Sequence, residues 1–199
     1  MTLNPVPVDR ESAAGVVLLA GIPGSGKTTV AAALAARLPA SAHVEVDALR
    51  QMIISGGQWP SSTPNAEADR QIFLRARRAC LLADSFVRAR FVPVLDDVVV
   101  RRAHFDFYRT MLTAEPLHVV FLAPGPATAW QRNQARDKAL TTDWSPLDKA
   151  MRAELGRVGT WIDNSAQTVE ETGEAILAVT GLSPRQPPAE PLAPVLRPV

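Results

Sequence analysis

Cysteine is almost absent from the sequence, since Cys80 is the single cysteine among 199 residues. An internal disulfide framework is therefore excluded, and the composition favours a reducing, cytoplasmic environment. We expect Cys80 to pack as a small apolar residue on a helix. The three histidines are scattered without the spacing of metal ligands, so the sequence predicts no zinc site.

The sequence also lacks an excess of either charge, because its 21 basic and 20 acidic residues give a formal net charge of only +1. Nucleic-acid-binding domains are normally strongly basic, so this balance counts against a nucleic-acid partner. No apolar run approaches the roughly 20 residues of a membrane span, and the first residues do not resemble a signal peptide. We therefore expect no membrane partner. The length suits one domain, and the oligomeric state stays open.

One motif dominates what is present. Residues 21–29 read GIPGSGKTT, directly after the apolar run VVLLA at 16–20 and before an Ala-rich helical pattern. This segment matches G-x-x-x-x-G-K-[ST] at every fixed position and in the strand–loop–helix context that the pattern needs. A glycine-rich turn that merely links a strand to a helix is a poor alternative for a full match. The predicted nucleotide-binding residues are Gly21, Gly24, Ser25, Gly26, Lys27, Thr28 and Thr29.

Residue types in this loop account for the predicted chemistry. Gly21, Gly24 and Gly26 permit positive φ and leave no Cβ between the backbone N–H groups and phosphate oxygens. The positive end of the following helix adds to this attraction. Lys27 is then expected to bridge the terminal phosphates, and the Thr28 hydroxyl to hold Mg²⁺.

Strand and helix patterns alternate along the chain, which predicts a parallel sheet with helices on both faces. In such sheets ligands bind beyond the carboxyl ends of the strands. The glycine-rich loop, Asp47 and the pair Asp96-Asp97 all follow predicted strands, so we expect them at one edge. The predicted strands are 16–20, 43–46, 91–95, 117–123 and 160–163. The predicted helices are 27–38, 47–54, 67–90, 101–113, 127–138, 147–155 and 168–179.

An ordered set of segments resembles a known family. GIPGSGKTTV, VEVDALRQMI, VPVLDDVVV and RNQARDKALTTDW are similar to segments of the nucleotide-kinase-like P-loop small-molecule kinases, most of all the chloramphenicol phosphotransferase-like group. The resemblance covers about residues 15–180. It implies an α/β three-layer sandwich with a five-stranded parallel sheet in the order 2-3-1-4-5. It also implies ATP with Mg²⁺ as the phosphoryl donor.

The same resemblance implies a domain organisation. Residues 1–14 are expected to form a flexible tail, residues 15–181 a P-loop kinase domain, and the Pro-rich residues 182–199 a disordered tail. A short lid is expected at about 127–146. Residues 55–66 have no clear counterpart in the family, and we expect acceptor specificity to lie there.

Roles of acidic residues follow from the resemblance. Asp47 matches the acid that faces the acceptor hydroxyl, where it would orient the nucleophile and take its proton. The alternative is that Asp47 only caps the helix that follows. Asp96 matches the acid that orders Mg²⁺ through water, whereas Asp97 is expected to face the acceptor.

Arginine roles are also implied. Arg132 and Arg136 are expected to close over the transferring phosphoryl group, the alternative being a solvated basic helix face. Arg50 is expected to hold the substrate or to pair with Asp47, and an ordinary helix arginine is an equal alternative. Arg75 lies at the edge of an apolar helix face. It either points into the binding cleft or, as is more usual for such an arginine, lies along the surface.

Aromatic residues near these segments have a simpler interpretation. Trp59 lies in the loop at 55–66 and Trp144 in the expected lid, so each is near the predicted acceptor side. We expect ordinary packed aromatics at both positions.

The sequence therefore predicts an ATP-dependent O-phosphotransferase that acts on a small molecule, with an antibiotic as one candidate acceptor. Alternatives are a kinase of metabolites such as a nucleoside, shikimate or a sugar acid, a toxin-like kinase of a nucleotide sugar, and a non-kinase ATPase module. A guanine-specific switch is disfavoured, because residues 122–126 read LAPGP where N-K-x-D is expected.

Overall fold

The computed structural model describes residues 15–60, 65–134 and 143–185. Its centre is a sheet of five parallel strands in the order β2-β3-β1-β4-β5, which confirms the predicted architecture. The strands are β1 (Val16–Ala20), β2 (Ser41–Glu45), β3 (Val92–Asp97), β4 (Leu117–Leu122) and β5 (Thr160–Ile162).

Seven helices of the described residues cover the two faces of this sheet. One face packs against α1 and α7, and the other against α2, α3, α4 and α6. The helices are α1 (Lys27–Arg37), α2 (Val46–Arg50), α3 (Ala66–Arg88), α4 (Arg102–Met111), α5 (Pro126–Gln134), α6 (Ser145–Leu155) and α7 (Val169–Thr180). None of the helices in these described ranges is long and apolar enough to cross a membrane.

The central strand β1 shows why a parallel sheet forms. All five of its side chains are fully buried, as expected for a strand covered by helices on both faces. Val16, Leu18 and Ala20 join the cluster beneath α3 and α4. Val17 and Leu19 join the cluster beneath α1 and α7. The alternation gives the domain two cores, one on each side of the sheet.

The strand register brings the carboxyl ends of β1, β2 and β3 together at one edge of the sheet. Leu19 and Ala20 of β1 lie opposite Asp96 and Asp97 of β3, and Glu45 of β2 also lies opposite Asp96. The segments that leave β1, β2 and β3 therefore begin side by side at one edge. This confirms the expected gathering of the glycine-rich loop and the acidic residues.

Several predicted boundaries are wrong by a few residues. Asp96 and Asp97 belong to β3 itself, because both lie within its ladder with β1. The short helix α2 begins at Val46 and ends at Arg50, so it is shorter than the predicted 47–54. The domain end at residue 181 stays a prediction, and Leu182, the next residue, is partly buried against the α1–α7 core.

Other predictions fall partly outside the described residues. This holds for the two tails at 1–14 and 186–199, for part of the expected lid, for residues 61–64 of the loop, and for Arg136. By contrast, Cys80 is buried in the sheet–α3 core as expected. Burial raises the pKa of its thiol to about 12, so it is a packing residue and not a reactive one.

Candidate active site at the carboxyl edge of the sheet

The loop between β1 and α1 has the backbone of an anion-binding loop. Gly24 and Gly26 have φ of 83° and 91°, a region that L side chains rarely adopt. The space beside the Gly26 Cα is open. A Cβ atom at this position would have the side-chain nitrogens of Asn164 and Arg132 as its nearest neighbours, at 3.7 and 3.8 Å. Gly21 does not adopt the positive φ that glycine permits. There a Cβ would lie 2.5 Å from the Ser25 hydroxyl, so Gly21 is required for close packing.

Helix α1 begins at Lys27, directly after Gly26, so its first N–H groups point into this loop. Lys27 is buried, and its Nζ lies 3.4 Å from the Ile22 carbonyl oxygen. The first turn contains no acidic side chain. An anion at this helix N-terminus therefore meets N–H groups, the positive helix end and a lysine, the chemistry of a phosphate site.

A cavity of about 310 Å³ lies beside the glycine-rich loop. Its wall includes Gly24, Gly26 and Thr29 on one side and the segment from Asn164 to Thr172 on the other. The Asn164 side chain is buried and donates to the Ser25 carbonyl oxygen at 3.1 Å. The loop after β5 is thereby fixed against the phosphate loop, and the cavity lies between the two.

Arg132 of α5 lies at the same cavity. Its Nη2 donates to the Asn164 carbonyl oxygen at 2.8 Å, and its Nη1 lies 3.5 Å from the Ser25 carbonyl oxygen. A guanidinium therefore stands above Gly26, next to the loop that would hold phosphates. The solvated-face alternative for Arg132 is wrong, whereas Arg136 lies outside the described residues.

Asp96 lies on the α1 side of the sheet. It is two residues beyond Val94, which packs in the α1–α7 core, and side chains alternate along a strand. Its carboxylate is buried and lies 2.8 Å from His43 Nε2. His43 was not predicted as a site residue. His43 and the buried Val44 are adjacent in β2, so their side chains lie on opposite faces of the sheet. This alternation was the sequence signal that could have placed His43 on the α1 side.

The described residues fit Mg²⁺ held with a nucleotide. Among them, no group of three or more His, Cys, Asp or Glu side chains could hold a metal alone. Mg²⁺ usually takes one or two protein oxygens and completes its shell with water and phosphate oxygens. The Thr28 hydroxyl in the first turn of α1 and the Asp96 carboxylate at the end of β3 supply such oxygens.

Asp47 occupies the opposite part of the edge, in the first turn of α2. The helix-cap alternative is wrong, because Glu45 is the N-cap residue and Asp47 lies inside the helix. Its side chain is 54 % exposed, and its Oδ1 accepts a hydrogen bond of 2.7 Å from Arg75 Nη1. The carboxylate is thus held in place by one oxygen while it remains open to the solvent.

Arg75 does not lie along the surface, contrary to the more usual interpretation of its position. The residue is buried, and its Nη2 also lies 3.6 Å from an oxygen of Asp97. Arg75 therefore connects the two acidic residues, one from α2 and one from β3.

Asp97 faces the interior, where it is fully buried, so it is not placed to contact an acceptor. Its position in β3 puts it on the α3–α4 side of the sheet, opposite to Asp96. Its carboxylate accepts hydrogen bonds of 2.8 Å from the Tyr108 hydroxyl and from the Val98 amide, and His104 Nε2 lies 3.2 Å away. These partners fix the Asp97 carboxylate, which lies beside Arg75, and Arg75 in turn donates to Asp47.

Burial alone would raise the pKa of Asp97. The neighbouring His104, Arg75 and Tyr108 together outweigh this effect and lower the pKa of Asp97 to about 2. Burial, followed by the charge of Asp97, raises the pKa of Tyr108 well above its ordinary value. Tyr108 thus remains a hydroxyl donor and Asp97 a carboxylate acceptor across the physiological range. Both partners were missed, although His104 and Tyr108 are four residues apart on one face of α4.

The segment after α2 lies over Arg50. The Trp59 ring stacks on the Arg50 guanidinium, and Trp59 is 74 % exposed, so it is not the ordinary packed aromatic that we expected. Gln71 of α3 fixes this segment by donating to the Gly56 carbonyl oxygen and accepting from the Gln58 amide, each at 2.8 Å. Trp144, in contrast, packs against the sheet–α3 core as predicted.

Comparisons with solved structures show the same fold. The chain is similar to a sugar kinase from Janibacter sp. (17 % identity, TM-score 0.65), over 84 % of this chain and 95 % of that one. It is similar to a gluconokinase from Sinorhizobium meliloti (22 %, 0.61), over 84 % and 91 %. It is also similar to a tunicamycin resistance protein from Deinococcus radiodurans (19 %, 0.64), over 86 % and 98 %.

Sequence comparison gives the family. No functionally curated protein matches the chain significantly. A family model described as an AAA domain, AAA_33, matches residues 16–157, which is more than half of the chain and includes the glycine-rich loop, Asp47 and both acidic residues of β3. The chain therefore belongs to the AAA_33 family of P-loop kinase-like domains.

Proposed function

We propose that this protein is an ATP-dependent phosphotransferase that phosphorylates a hydroxyl group of a small molecule. One observation carries the proposal. A half-exposed carboxylate, Asp47, is fixed by a buried arginine at the same sheet edge as the phosphate loop. A nucleotide-binding module without an acceptor has no need for such a base, whereas a kinase needs one to orient its nucleophile.

The nucleotide side follows from the geometry of the loop. The N–H groups at the start of α1 and the Lys27 ammonium would bind the β- and γ-phosphates, while the remainder of ATP would lie in the cavity near Asn164. Thr28 would coordinate Mg²⁺ directly and Asp96 would do so through water. The bound ion would supply charge neutralisation at the phosphates. Arg132 is positioned to neutralise charge that develops on the transferring phosphoryl group.

On the acceptor side, Asp47 orients the hydroxyl and receives its proton. The acceptor oxygen forms a bond to the γ-phosphorus, and the bond from that phosphorus to the β–γ bridging oxygen breaks, which leaves ADP. Little covalent chemistry is required of the protein, so positioning contributes most of the rate. Arg75, which lies beside the buried Asp97 carboxylate, is the positioning residue for Asp47.

The test is an acceptor screen with purified protein, ATP and Mg²⁺. Hydroxylated antibiotics, nucleosides, sugars and sugar acids are incubated separately, and mass spectrometry measures the gain of one phosphate. Lys27→Met removes the phosphate-binding charge, and Lys149→Met is the matched control at an exposed position of α6. We expect transfer to be lost in the first variant and retained in the second. ATP hydrolysis without transfer to any acceptor would instead identify an ATPase module.

A further inference from the structure

An unpaired guanidinium lies next to the proposed acceptor site. Arg50 is 7 % exposed, and both of its terminal nitrogens are buried without a hydrogen-bond partner among the described residues. The Nε of Arg75 is buried and unpaired in the same way. Buried charged groups are normally paired, since an unpaired one costs a large part of its hydration free energy. The two arginines thus present N–H groups that lack an acceptor.

The nearby acids are already engaged with Arg75. Asp47 accepts its hydrogen bond of 2.7 Å from Arg75, and Asp97 lies 3.6 Å from the same guanidinium. Burial, together with the positive charge of Arg75, lowers the pKa of Arg50, while Asp47 opposes this only in part. An additional anion at this point would relieve the repulsion between the two guanidinium groups.

The residues around Arg50 leave one direction from which an anion can reach its guanidinium group. Trp59 covers the flat face of the guanidinium, so hydrogen-bond acceptors must reach its edge, where the N–H groups point. A small cavity of about 10 Å³ lies there, lined by residues that include Arg50, Gln58, Gln71 and Arg75. That volume admits about one water molecule, so a larger group must move the Trp59 segment outward. Met52 and Ile54 of this segment are exposed, so the movement would expose little further apolar surface. The movement has to break or stretch the two hydrogen bonds that Gln71 makes to the segment.

We propose that Arg50 and Arg75 form an anion-binding subsite beneath Trp59, and that the acceptor carries a carboxylate or phosphate group beside the hydroxyl that Asp47 orients. The acceptor assignment rests on the proposed kinase function. Asp47 and Arg50 are three residues apart on α2, a spacing that places their Cβ atoms about 5–6 Å apart on neighbouring positions of the helix. The anionic group and the reacting hydroxyl are therefore close neighbours in the same small molecule. A guanidinium edge binds carboxylate and phosphate oxygens equally well in a bidentate manner.

A binding measurement tests the subsite without requiring turnover. The protein is saturated with Mg²⁺ and a non-hydrolysable ATP analogue, so that the phosphate loop cannot bind the probe. It is then titrated calorimetrically with two matched pairs, gluconate against glucose and glycerol 2-phosphate against glycerol. We expect at least one anionic probe to bind, and its neutral counterpart to bind at least about tenfold more weakly. Absence of binding by both anionic probes would overturn the proposal.

Two variants give the residue-level test. Arg50→Met keeps the length of the side chain but removes its charge, and should weaken binding of the anionic probe by at least about tenfold. Arg77→Met, at an exposed position of α3, should leave this affinity unchanged. Because Arg50 is buried without a partner, its replacement should maintain or raise Tm. Unchanged probe affinity in a folded Arg50→Met variant would contradict the subsite.

A second readout applies even if Arg50→Met does not fold. Binding of the anion must move Trp59, so the probe should change the tryptophan emission of the wild-type protein, and this change should disappear in Trp59→Phe. An emission change that persists in Trp59→Phe would show that the probe binds elsewhere. Anion binding together with no phosphoryl transfer in the acceptor screen would retain the subsite and reject the kinase function, so the two failures are distinguishable.

Discussion

Arg75 Nη1 lies 2.7 Å from Asp47 Oδ1, a contact that joins the middle of α3 to the first turn of α2. The arginine is buried and the carboxylate is half exposed. Holding a solvent-accessible carboxylate with a buried guanidinium restricts its rotamers without removing it from an incoming molecule. Under the proposed function, this contact would position Asp47 as the general base, whereas the buried Asp97 would act only through Arg75.

We predict that Arg75→Lys lowers kcat by about tenfold or more and leaves nucleotide affinity unchanged. A lysine retains the charge, but its single ammonium cannot contact Asp47 and Asp97 in the same planar geometry. Steady-state kinetics and nucleotide titration measure the two effects separately. Arg77→Lys, at an exposed position of the same helix, is the control. Equal kinetics in the two variants would show that Arg75 does not position Asp47.

Asp97 should contribute to stability in a pH-dependent manner. Its pKa falls from 3.8 to about 2 on folding, so its contribution is present in full above pH 4 and is lost as the pH falls through 2. A shift of this size corresponds to about 2 kcal/mol in the free energy of unfolding at neutral pH. We therefore predict that Asp97→Asn destabilises the protein at pH 7 and that the difference from wild type narrows below pH 4.

Urea denaturation between pH 2 and 7 measures this difference. Tyr108→Phe removes one hydrogen bond to the same carboxylate and should cost about 1.5–3 kcal/mol at pH 7. If the difference in the free energy of unfolding between Asp97→Asn and wild type stays constant with pH, the low pKa of Asp97 is contradicted.

Arg132 should act on the rate of transfer more than on nucleotide binding. Charge spreads over the transferring phosphoryl oxygens in the transition state, and Arg132 stands next to Gly26 of the phosphate loop. Arg132→Ala is expected to lower kcat by about 10²-fold with little change in nucleotide affinity. Rapid-quench kinetics and nucleotide titration check the two quantities. A loss confined to nucleotide affinity would make Arg132 a binding residue.

The C-terminal end of the domain can be located by truncation. Leu182 packs against the α1–α7 core, and the Arg185 amide donates to the Arg37 carbonyl oxygen. Removal of residues 186–199 should leave Tm unchanged. Removal from Leu182 onward should lower Tm by a few degrees, because burial of a leucine side chain contributes roughly 1–2 kcal/mol. Equal melting temperatures for the two truncations would place the C-terminal boundary of the domain at Gly181, as predicted from the sequence.

Sequence patterns predicted the alternation of strands and helices and the glycine-rich loop because these depend on local rules, whereas the sheet order was implied by the family resemblance. The apolar run at 16–20 and the glycine spacing that follows it are fixed by neighbouring residues in the chain. The acceptor side depends on contacts between distant segments. Arg75 lies 28 residues from Asp47 in sequence, and its place at the edge of an apolar helix face favoured a position along the surface.

The partners of Asp97 show the same limit. His104 and Tyr108 have ordinary positions on an amphipathic helix, and only the packing of α4 on β3 brings them to a buried carboxylate. The stacking of Trp59 on Arg50 depends on the path of an irregular segment, for which periodicity carries no information.

The most direct measurement of the central claim compares Asp47→Asn with Asp69→Asn, an exposed position of α3, in the same assay. Asparagine keeps the size of the side chain but removes its negative charge and its ability to accept a proton. We predict that Asp47→Asn reduces transfer to the acceptor by about 10²-fold or more, with nucleotide affinity and Tm close to wild type. Asp69→Asn should match the wild-type protein in phosphoryl transfer, nucleotide affinity and Tm. Near-normal transfer in a folded Asp47→Asn protein would contradict the assignment of Asp47 as the acceptor-side base.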